Sequence, residues 1–491
     1  MLKKVWKISS LKYIAAFLIP MVFVLVTMWS LDNDSWGVLA EGKYIVNNGI
    51  YHTDVLSMHE GLNTVLQNYV FAVFFYRIYE AFGGPGLYIA MLILNLLVCI
   101  LIYKICKLIS DNNKNLSLII MMITDVMLIL CGFVTTRAQM VSFVLFLSLI
   151  YVLELYMKTG KMKYLWWIPL ISLAQINLHA SLWPMIYLVG LTYIVDLFVE
   201  SKFLHKKVSK IWPLIVVGGI SFLLGFANPY GVDMLTMMFK VYGDSTFSKL
   251  VVELQPFRPF MNLGNVLFYI VLTAVGFLYA FSDRKNVRIR YLLLSFGFLA
   301  LGLNTIKGLS QVILVMFFPL ALLYKDIRPE KTIESSIGRN ALVLWSGILV
   351  STVFVCVCPV VVMNVSSDYS DNALIEAVDV IDEMEGENDK RELNIYTGYN
   401  IGGYVEFRGY RPYMDPRGCD FMKAINGKED ILQEWVDFRS NKISRSELLD
   451  KYSFDYLLIE GENDPFYSST NDGYEIIYKN EEKKIELYHK E

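Results

Sequence analysis

The sequence predicts a polytopic α-helical membrane protein that carries an α/β domain outside the membrane at its C-terminal end. Of the 491 residues, 55% are hydrophobic and 19% are charged, and the mean hydropathy is +0.44. A soluble chain would carry about a quarter charged residues. Apolar runs recur from Leu11 to Met363, and runs of about 20 residues are long enough to cross a bilayer as helices. The net charge of −3 argues against nucleic acid as a partner.

The loops between the apolar runs alternate in charge. Segments such as KTGKMK and SDRKNVRIR are basic, whereas the segments between them, such as TTRAQ and NTIKG, are poor in lysine. Because basic loops collect on the cytoplasmic side, this alternation predicts about eleven spans, with the N-terminus inside and the C-terminal domain outside. The first run resembles a signal peptide but lacks a small-residue cleavage site, so we expect a retained helix. The predicted spans lie near residues 12–31, 86–107, 116–134, 138–157, 163–178, 181–199, 211–227, 264–281, 291–304, 309–324 and 341–362.

The segment 62–82 does not fit this alternation, although its length alone would permit a span. If it crossed the membrane, every later loop would change sides. We therefore interpret it as an interfacial or re-entrant helix that ends at the GGPG sequence following it. Residues 1–363 then form the transmembrane domain, with 32–61 as its first outer loop.

Residues 364–491 differ in composition, since polar and charged residues interrupt every apolar stretch. DNALIEAVDVIDEME has helical periodicity, with Asp371 as the expected N-cap. LNIYT, GGYVEF and DYLLIE are typical of strands, and YEIIYKNEEKKIELYHK is typical of a hairpin with a charged turn. The segment NIGGYVEFRGYRPYMDPRG contains Asp415 and Arg417, which form either an internal ion pair between two strands or part of a binding site.

Polar residues recur in the predicted outer loops. Residues 174–183, AQINLHASLW, are the tip of a hairpin between two predicted spans. A solvated turn would explain this tip taken alone. Carboxylates, amides, a histidine and cations in several such loops instead favour a site for an anionic, hydroxyl-rich ligand at the outer face. The candidates are Asp32, Asp34, Asp54, His59, Glu60, Arg137, Gln139, Asn177, His179, Asn228, Tyr230 and Lys307, with Asp415 and Arg417 from the C-terminal domain.

Several motifs in a fixed order resemble one family. They are DNDSWGVLAEGKYIVNNGIYHTDVLSMHE, TTRAQMVSFVLF, INLHASLWPM, FANPYG and GGYVEFRGYRPYMDPRG. Together they look like the bacterial GT-C-type glycosyltransferases, polytopic relatives of the polyprenyl-phosphate-mannose protein mannosyltransferases. The resemblance extends from the first outer loop to the terminal hairpin. It implies a GT-C-like fold and a multi-pass enzyme of the cell membrane that acts at the external face.

The resemblance also implies a reaction. A hexose would leave a polyprenyl-phosphate donor, usually with inversion, for an envelope glycan, lipid or protein acceptor. Asp34, with Asp32 beside it, matches the acidic position that acts on the acceptor hydroxyl in such families.

Other candidate residues acquire roles from the same resemblance. Arg137 and Lys307 would bind the departing phosphate, with His179 and Asn177 as neutral donors. Asp54 and Glu60 would orient sugar hydroxyls or help hold a divalent cation such as Mg²⁺ or Mn²⁺. The DND sequence at residues 32–34 looks like a paired-acid metal motif, but a short acidic turn at the end of a helix is commoner.

Three other functions are compatible with the sequence. A polymerase or ligase of lipid-linked glycans would also use outer arginine and histidine residues. A transporter would use a charged group at membrane depth, and Asp125 is the one carboxylate near the middle of a predicted span. A non-catalytic scaffold would use its exported domain to bind a partner.

Overall fold

The structure is a computed structural model in which the chain forms two compact units. The helical unit comprises Met1–Met28, Tyr88–Ala227 and Val251–Val362, and the α/β unit comprises Trp29–Leu87, Asn228–Leu250 and Met363–Glu491. The α/β unit therefore combines the first outer loop with the C-terminal residues. The described residues are 16–17, 20–21, 24, 31–203, 205, 209–260, 262–280, 288–326, 371–386, 388–468 and 472–491. The predicted span 341–362, and most of 12–31, lie outside them.

The α-helices of the described residues agree with most of the predicted spans. Five helical stretches are long and apolar enough to cross a membrane: Tyr69–Ile109, Gln139–Thr159, Ala180–Lys202, Leu263–Ala280 and Ile306–Leu323. In chain order the α-helices are α1 Asn33–Asn48, α2 Tyr69–Ile109, α3 Lys114–Leu130, α4 Gln139–Thr159, α5 Trp167–Leu178, α6 Met185–Lys202, α7 Trp212–Leu224, α8 Val232–Gly243, α9 Ser245–Leu250, α10 Leu263–Ala280, α11 Ile289–Asn304, α12 Leu309–Val315, α13 Phe318–Leu323, α14 Asp371–Glu385, α15 Gly402–Phe407, α16 Lys423–Asn426, α17 Ile431–Arg439 and α18 Arg445–Tyr452. The total number of spans stays a prediction.

The helix expected at 62–82 differs from the prediction at both ends. It begins at Tyr69, because the preceding residues pair with the first outer loop through a bridge between Thr53 and Asn63. It also continues past the GGPG sequence to Ile109, with a kink at Gly83 (φ 62°, ψ −160°). Glycine adopts this positive φ without steric cost, and the proline that follows lies where the helix restarts and needs no N–H partner.

The C-terminal sheet contains the three predicted strand regions LNIYT, DYLLIE and the closing hairpin. Its strand order is β2-β1-β3-β5-β4. Strand β1 pairs parallel with β2 and β3, whereas β5 pairs antiparallel with β3 and β4. The strands are β1 Asn394–Tyr396, β2 Arg411–Pro412, β3 Tyr456–Glu460, β4 Tyr474–Asn480 and β5 Ile485–Lys490.

The predicted helix 371–385 is confirmed as α14, and it packs on this sheet. Ala377, Val378 and Ile381 of α14 are fully buried in a cluster with Ile395 and Leu458 of β1 and β3. Asp371 was expected to cap this helix, but its side chain lies outside the described part of the chain.

The prediction of a strand at GGYVEF was wrong, because these residues form helix α15. A Cβ on Gly402 would lie 2.1 Å from the carbonyl oxygen of Met414, and one on Gly403 would lie 2.5 Å from that of Asn33. These two contacts hold α15 against the following loop and against α1. A short run of alternating residues does not distinguish a buried strand from a helix, so the tertiary contacts decided its conformation.

Candidate functional site

A buried ion cluster around Arg417 occupies the α/β unit. Arg417 follows strand β2 and is 8% exposed. Its Nη1 donates to Asp54 Oδ1 at 2.6 Å, and its Nη2 donates to Asp415 Oδ2 at 2.6 Å and to Glu406 Oε1 at 2.7 Å. Asp420 Oδ2 lies 3.8 Å from Nη1. The guanidinium thus joins the first outer loop, helix α15 and the loop after β2.

One guanidinium cannot neutralise all the carboxyl groups around it. Burial alone would raise the pKa of Asp54, but Arg417 and hydrogen bonds from Ser57 outweigh burial and lower it. Burial dominates elsewhere, and the pKa rises to about 8 for Glu41, to about 7 for Asp420 and well above the ordinary value for Glu406. The cluster therefore keeps some of its carboxyl groups protonated at neutral pH.

Asp415 and Arg417 were interpreted either as an internal ion pair or as part of a binding site. In the structure they form an internal ion pair. Arg417 Nε also donates to Asp415 Oδ1, at 3.2 Å. Both side chains are buried, and carboxylates engage the guanidinium at Nε, Nη1 and Nη2. We therefore assign these two residues to the folding of the unit, and a part in substrate binding stays a prediction.

The end of the first outer loop lies against the C-terminal motif. His59 Nε2 lies 2.8 Å from the carbonyl oxygen of Tyr413, and its ring packs edge-on against Tyr413, Phe421 and Tyr452. Burial lowers the pKa of His59. Glu60, directly after it, is exposed to solvent. Of these neighbours, Glu60 is therefore open to a ligand, whereas His59 is packed.

Asp32 and Asp34 lie at the start of helix α1. Asp32 is the N-cap and accepts from the Ser35 backbone N–H at 2.8 Å and from the Ser35 hydroxyl at 2.5 Å. Asp34 lies in the first turn and is partly buried. Asn33, between them, donates to the carbonyl oxygen of Tyr399 at 2.9 Å and accepts from Gly403 N at 3.0 Å. The backbone that carries Asp34 is thus held on both sides.

Asn228 and Tyr230 form a turn in the α/β unit. Asn228 Oδ1 accepts from the Tyr230 backbone N–H at 2.8 Å, and Asn228 Nδ2 donates to the carbonyl oxygen of Gly231 at 3.2 Å. The Tyr230 hydroxyl donates to the carbonyl oxygen of Tyr51 at 2.7 Å. Asn228 therefore shapes the turn, and Tyr230 ties it to the first outer loop.

A second polar cluster lies in the helical unit and combines residues from three of the predicted outer loops. Arg137 Nη1 lies 2.8 Å from Glu253 Oε1, and Lys307 Nζ lies 3.8 Å from Glu253 Oε2. Gln139 donates to the Ser310 hydroxyl at 3.2 Å, and that hydroxyl donates to the carbonyl oxygen of Lys307 at 2.9 Å. The structure therefore brings together three of the predicted residues, Arg137, Gln139 and Lys307.

His179 lies in the same unit, at the C-cap of α5. Its Nδ1 lies 2.8 Å from the Ser142 hydroxyl and its Nε2 lies 2.8 Å from the Ser181 hydroxyl. Gln175 donates to the Ser142 hydroxyl at 2.9 Å and to the carbonyl oxygen of His179 at 2.7 Å. Burial, together with the charge of Lys307, lowers the pKa of His179 to about 3. The histidine is therefore neutral and its polar neighbours satisfy it.

The polar residues of the 174–183 tip thus have partners within the helical unit. Asn177 donates to the carbonyl oxygens of Leu173 at 2.8 Å and Ala227 at 3.1 Å, so it links the ends of α5 and α7. Ser142, Gln175 and Gln311 also line a small, otherwise apolar pocket. The tip is a hydrogen-bonded turn beside this pocket.

Asp125, the carboxylate expected at membrane depth, is completely buried. Its Oδ2 accepts from Asn95 Nδ2 at 3.3 Å, which links α3 to α2. Asn95 is thus one partner of the buried acid, and Asp125 Oδ1 has no hydrogen-bond partner among the described residues. A role of Asp125 in transport stays a prediction.

The divalent cation considered above has no evident ligand set in the described part of the chain. No group of three or more histidine, cysteine, aspartate or glutamate side chains is arranged there to hold a metal ion. The carboxylates around Arg417 are directed at its guanidinium. A requirement for Mg²⁺ or Mn²⁺ therefore stays a prediction.

Sequence reasoning missed how the residues of the two clusters pair. Glu41 is an acidic residue of the first outer loop and Glu406 lies in a segment that was interpreted as a strand, and nothing in their spacing connects them to Arg417. Glu253 was visible as an acidic residue in an outer loop, but its pairing with two distant cations was not. The available sequence signal for Glu41 was its apolar neighbours Leu39, Ala40 and Ile45, which are buried on the same helix.

Comparison with known proteins supports a fold rather than a family. No protein-family description and no curated protein matches the chain. Among solved structures, the crystal structure of the Archaeoglobus fulgidus oligosaccharyltransferase, tethered to an acceptor peptide containing the NVT sequon by a disulfide bond, is similar. The TM-score is 0.63 and the identity 12%, over 99% of this chain and 74% of that chain.

The chain has the GT-C fold. The helical membrane architecture and the C-terminal sheet region predicted from the sequence are therefore confirmed. The narrower resemblance to bacterial relatives of the protein mannosyltransferases stays a prediction, because the identity of 12% indicates the fold alone.

Proposed function

We propose that this GT-C protein transfers a sugar from a polyprenyl-phosphate-linked donor to an envelope acceptor at the external face of the cell membrane. The observation that carries the proposal is the likeness of 99% of the chain to an oligosaccharyltransferase. A fold by itself does not determine function. Asp34 and the two cations Arg137 and Lys307 are therefore the means to test it.

The departing phosphate of the donor requires positive charge. Arg137 and Lys307 supply two cations beside the carboxylate of Glu253, and both cations are 28% exposed. A planar guanidinium can donate two parallel hydrogen bonds to a phosphate, and an ammonium contributes a compact charge. These two side chains would stabilise the negative charge that develops on the leaving group.

The acceptor hydroxyl requires a base. Asp34 is suited to this role because the flanking residues Asp32 and Asn33 fix the start of α1, and a fixed carboxylate lowers the cost of orienting it for reaction. It would accept the proton of the hydroxyl as the oxygen attacks the anomeric carbon, while the bond from that carbon to the donor phosphate breaks. A general base of this kind contributes about 10²–10⁴-fold to the rate.

The central test is Asp34→Asn in the purified full-length protein. Transfer of labelled sugar from a polyprenyl-phosphate donor should fall by about 10²–10⁴-fold, because the amide cannot accept the proton. Asp233→Asn is a matched control, since Asp233 also lies in the first turn of a helix of the α/β unit and is exposed. Transfer at the parental rate by Asp34→Asn would show that the base lies elsewhere.

A second test concerns the donor phosphate. Arg137→Lys keeps the positive charge but loses the planar fork, so donor affinity should weaken markedly. Arg137→Ala should weaken it further. If both variants bind the donor as the parent does, Arg137 does not bind the phosphate.

A further inference from the structure

Glu253 has no role in the reaction proposed above, yet it lies between Arg137 and Lys307. We call these two residues the cation cluster. Each of its carboxylate oxygens faces a different cation, Oε1 towards Arg137 at 2.8 Å and Oε2 towards Lys307 at 3.8 Å. Two oxygens of one phosphate group would bridge the same pair of cations in the same way. The carboxylate therefore occupies the position that an anionic ligand would take.

The backbone around Glu253 is fixed relative to that of Lys307. Glu253 lies in the 3₁₀-helix Val252–Leu254, and Lys307 lies in the 3₁₀-helix Ile306–Gly308. The Ile306 backbone N–H donates to the carbonyl oxygen of Gln255 at 2.9 Å, directly beside both turns. The distance between the two turns is thus maintained independently of the side-chain ion pairs.

The Glu253 side chain can rotate away from the two cations while the backbone of the two 3₁₀-helices stays in place. It is 42% exposed, so a rotation about its side-chain bonds carries the carboxylate into solvent. An exposed ion pair contributes little, because water screens the attraction and the side chains lose conformational freedom. A phosphate bound through two hydrogen bonds to a guanidinium is held more strongly. A phosphate can therefore displace Glu253.

We propose that Glu253 is a resident anion of the phosphate site: it holds Arg137 and Lys307 in a binding arrangement when no donor is present, and the donor phosphate replaces it. This inference rests on the proposed function, because it takes the cation cluster as the donor site. Glu253 is on this basis a specificity-determining residue, since a ligand must bind the two cations better than a carboxylate does.

The test measures binding of farnesyl phosphate, a short polyprenyl phosphate, to the purified full-length protein. Glu253→Gln removes the competing charge, so the Kd should fall about fivefold, which corresponds to about 1 kcal/mol. In an Arg137→Gln background the same change should give a much smaller gain, because one of the cations that Glu253 blocks is absent. Inorganic phosphate, measured in parallel, should show the same gain if the phosphate group alone is recognised.

Glu80→Gln is the matched control. Glu80 is 45% exposed and pairs with Arg77 at 2.6 Å, so Glu80→Gln removes the same charge as Glu253→Gln at a similarly exposed position. The affinity of the Glu80→Gln protein for farnesyl phosphate should equal that of the parent. Glu253→Ala provides a second variant that also lacks the charge. A parental or weaker affinity of both Glu253 variants, in a protein that binds farnesyl phosphate, would overturn the inference and leave the proposed function intact.

The two proposals fail in distinguishable ways. If neither the parent nor Glu253→Gln binds farnesyl phosphate or inorganic phosphate, the cation cluster is not a phosphate site and the inference is wrong. If Glu253→Gln tightens binding as expected but no variant and no parent transfers a sugar, the inference holds and the proposed transfer reaction is wrong.

Discussion

Replacement of Arg417 by methionine tests whether the buried ion cluster stabilises the α/β unit. The change preserves an unbranched apolar stem but removes the guanidinium, which lies 2.6–2.7 Å from Asp54, Asp415 and Glu406. These carboxyl groups are at most 6% exposed. Breaking a buried ion pair by removing one partner costs about 3–5 kcal/mol, because the remaining charge is buried without compensation.

The assay is thermal unfolding of the purified full-length protein, with parent and variant scanned at the same rate because membrane proteins often unfold irreversibly. At pH 7 the Arg417→Met protein should melt well below the parent. The difference should shrink at pH 5, since protonated carboxyl groups no longer carry the uncompensated charge.

Arg77→Met provides the control for the loss of a positive charge. Arg77 is 56% exposed and pairs with Glu80, so its removal should cost about 1 kcal/mol or less. If Arg417→Met melts at the parental temperature at pH 7, or no lower than Arg77→Met, the cluster does not stabilise the unit and the reasoning from burial is wrong.

Three further predictions concern the pH dependence, the helix packing and the topology. Burial raises the pKa of Glu41 from 4.5 to about 8, so the folded state binds this proton more tightly than the unfolded state. The contribution of Glu41 to the free energy of unfolding should therefore be fully present below about pH 4.5. It should fall as the pH rises towards 8, by up to about 1.4 kcal/mol per pH unit. Glu41→Gln should flatten this slope in chemical unfolding at pH 5 to 8, and an unchanged slope would contradict the assignment. Gly42→Ala should destabilise the protein in a thermal scan, because its Cβ would lie 2.1 Å from a carbonyl oxygen of the facing helix, whereas Gly190→Ala, with open space around it, should not. A cysteine at Glu481, whose side chain is 83% exposed, should react with an impermeant thiol reagent on intact cells and one at Lys161 should not; the reverse result would invert the predicted topology.

The native Cys419 cannot replace the introduced cysteine in the topology experiment. Although it lies in the polar segment that follows β2, the residue is buried, with 8% of its surface accessible. The fold of that segment around the ion cluster removed it from solvent.

The sequence by itself determined the fold class, the order of the helices and most of the strands. The physical reason is that long apolar runs, their alternation with basic loops and the period of the closing hairpin depend on neighbouring residues alone. The GT-C resemblance came instead from the order of five motifs along the chain. The alternation of loops also identified Arg137, Gln139 and Lys307 as polar residues of predicted outer loops, and these lie close together in the helical unit.

Only the tertiary structure decided which residues meet. Arg417 contacts Asp54, more than three hundred positions earlier in the chain, and Glu253 joins two cations that lie on either side of it in sequence. It also decided that GGYVEF is a helix, since close backbone contacts at its glycines determine its conformation. Ion pairs and close packing between distant segments form only when the chain is folded, and no local period in the sequence records them.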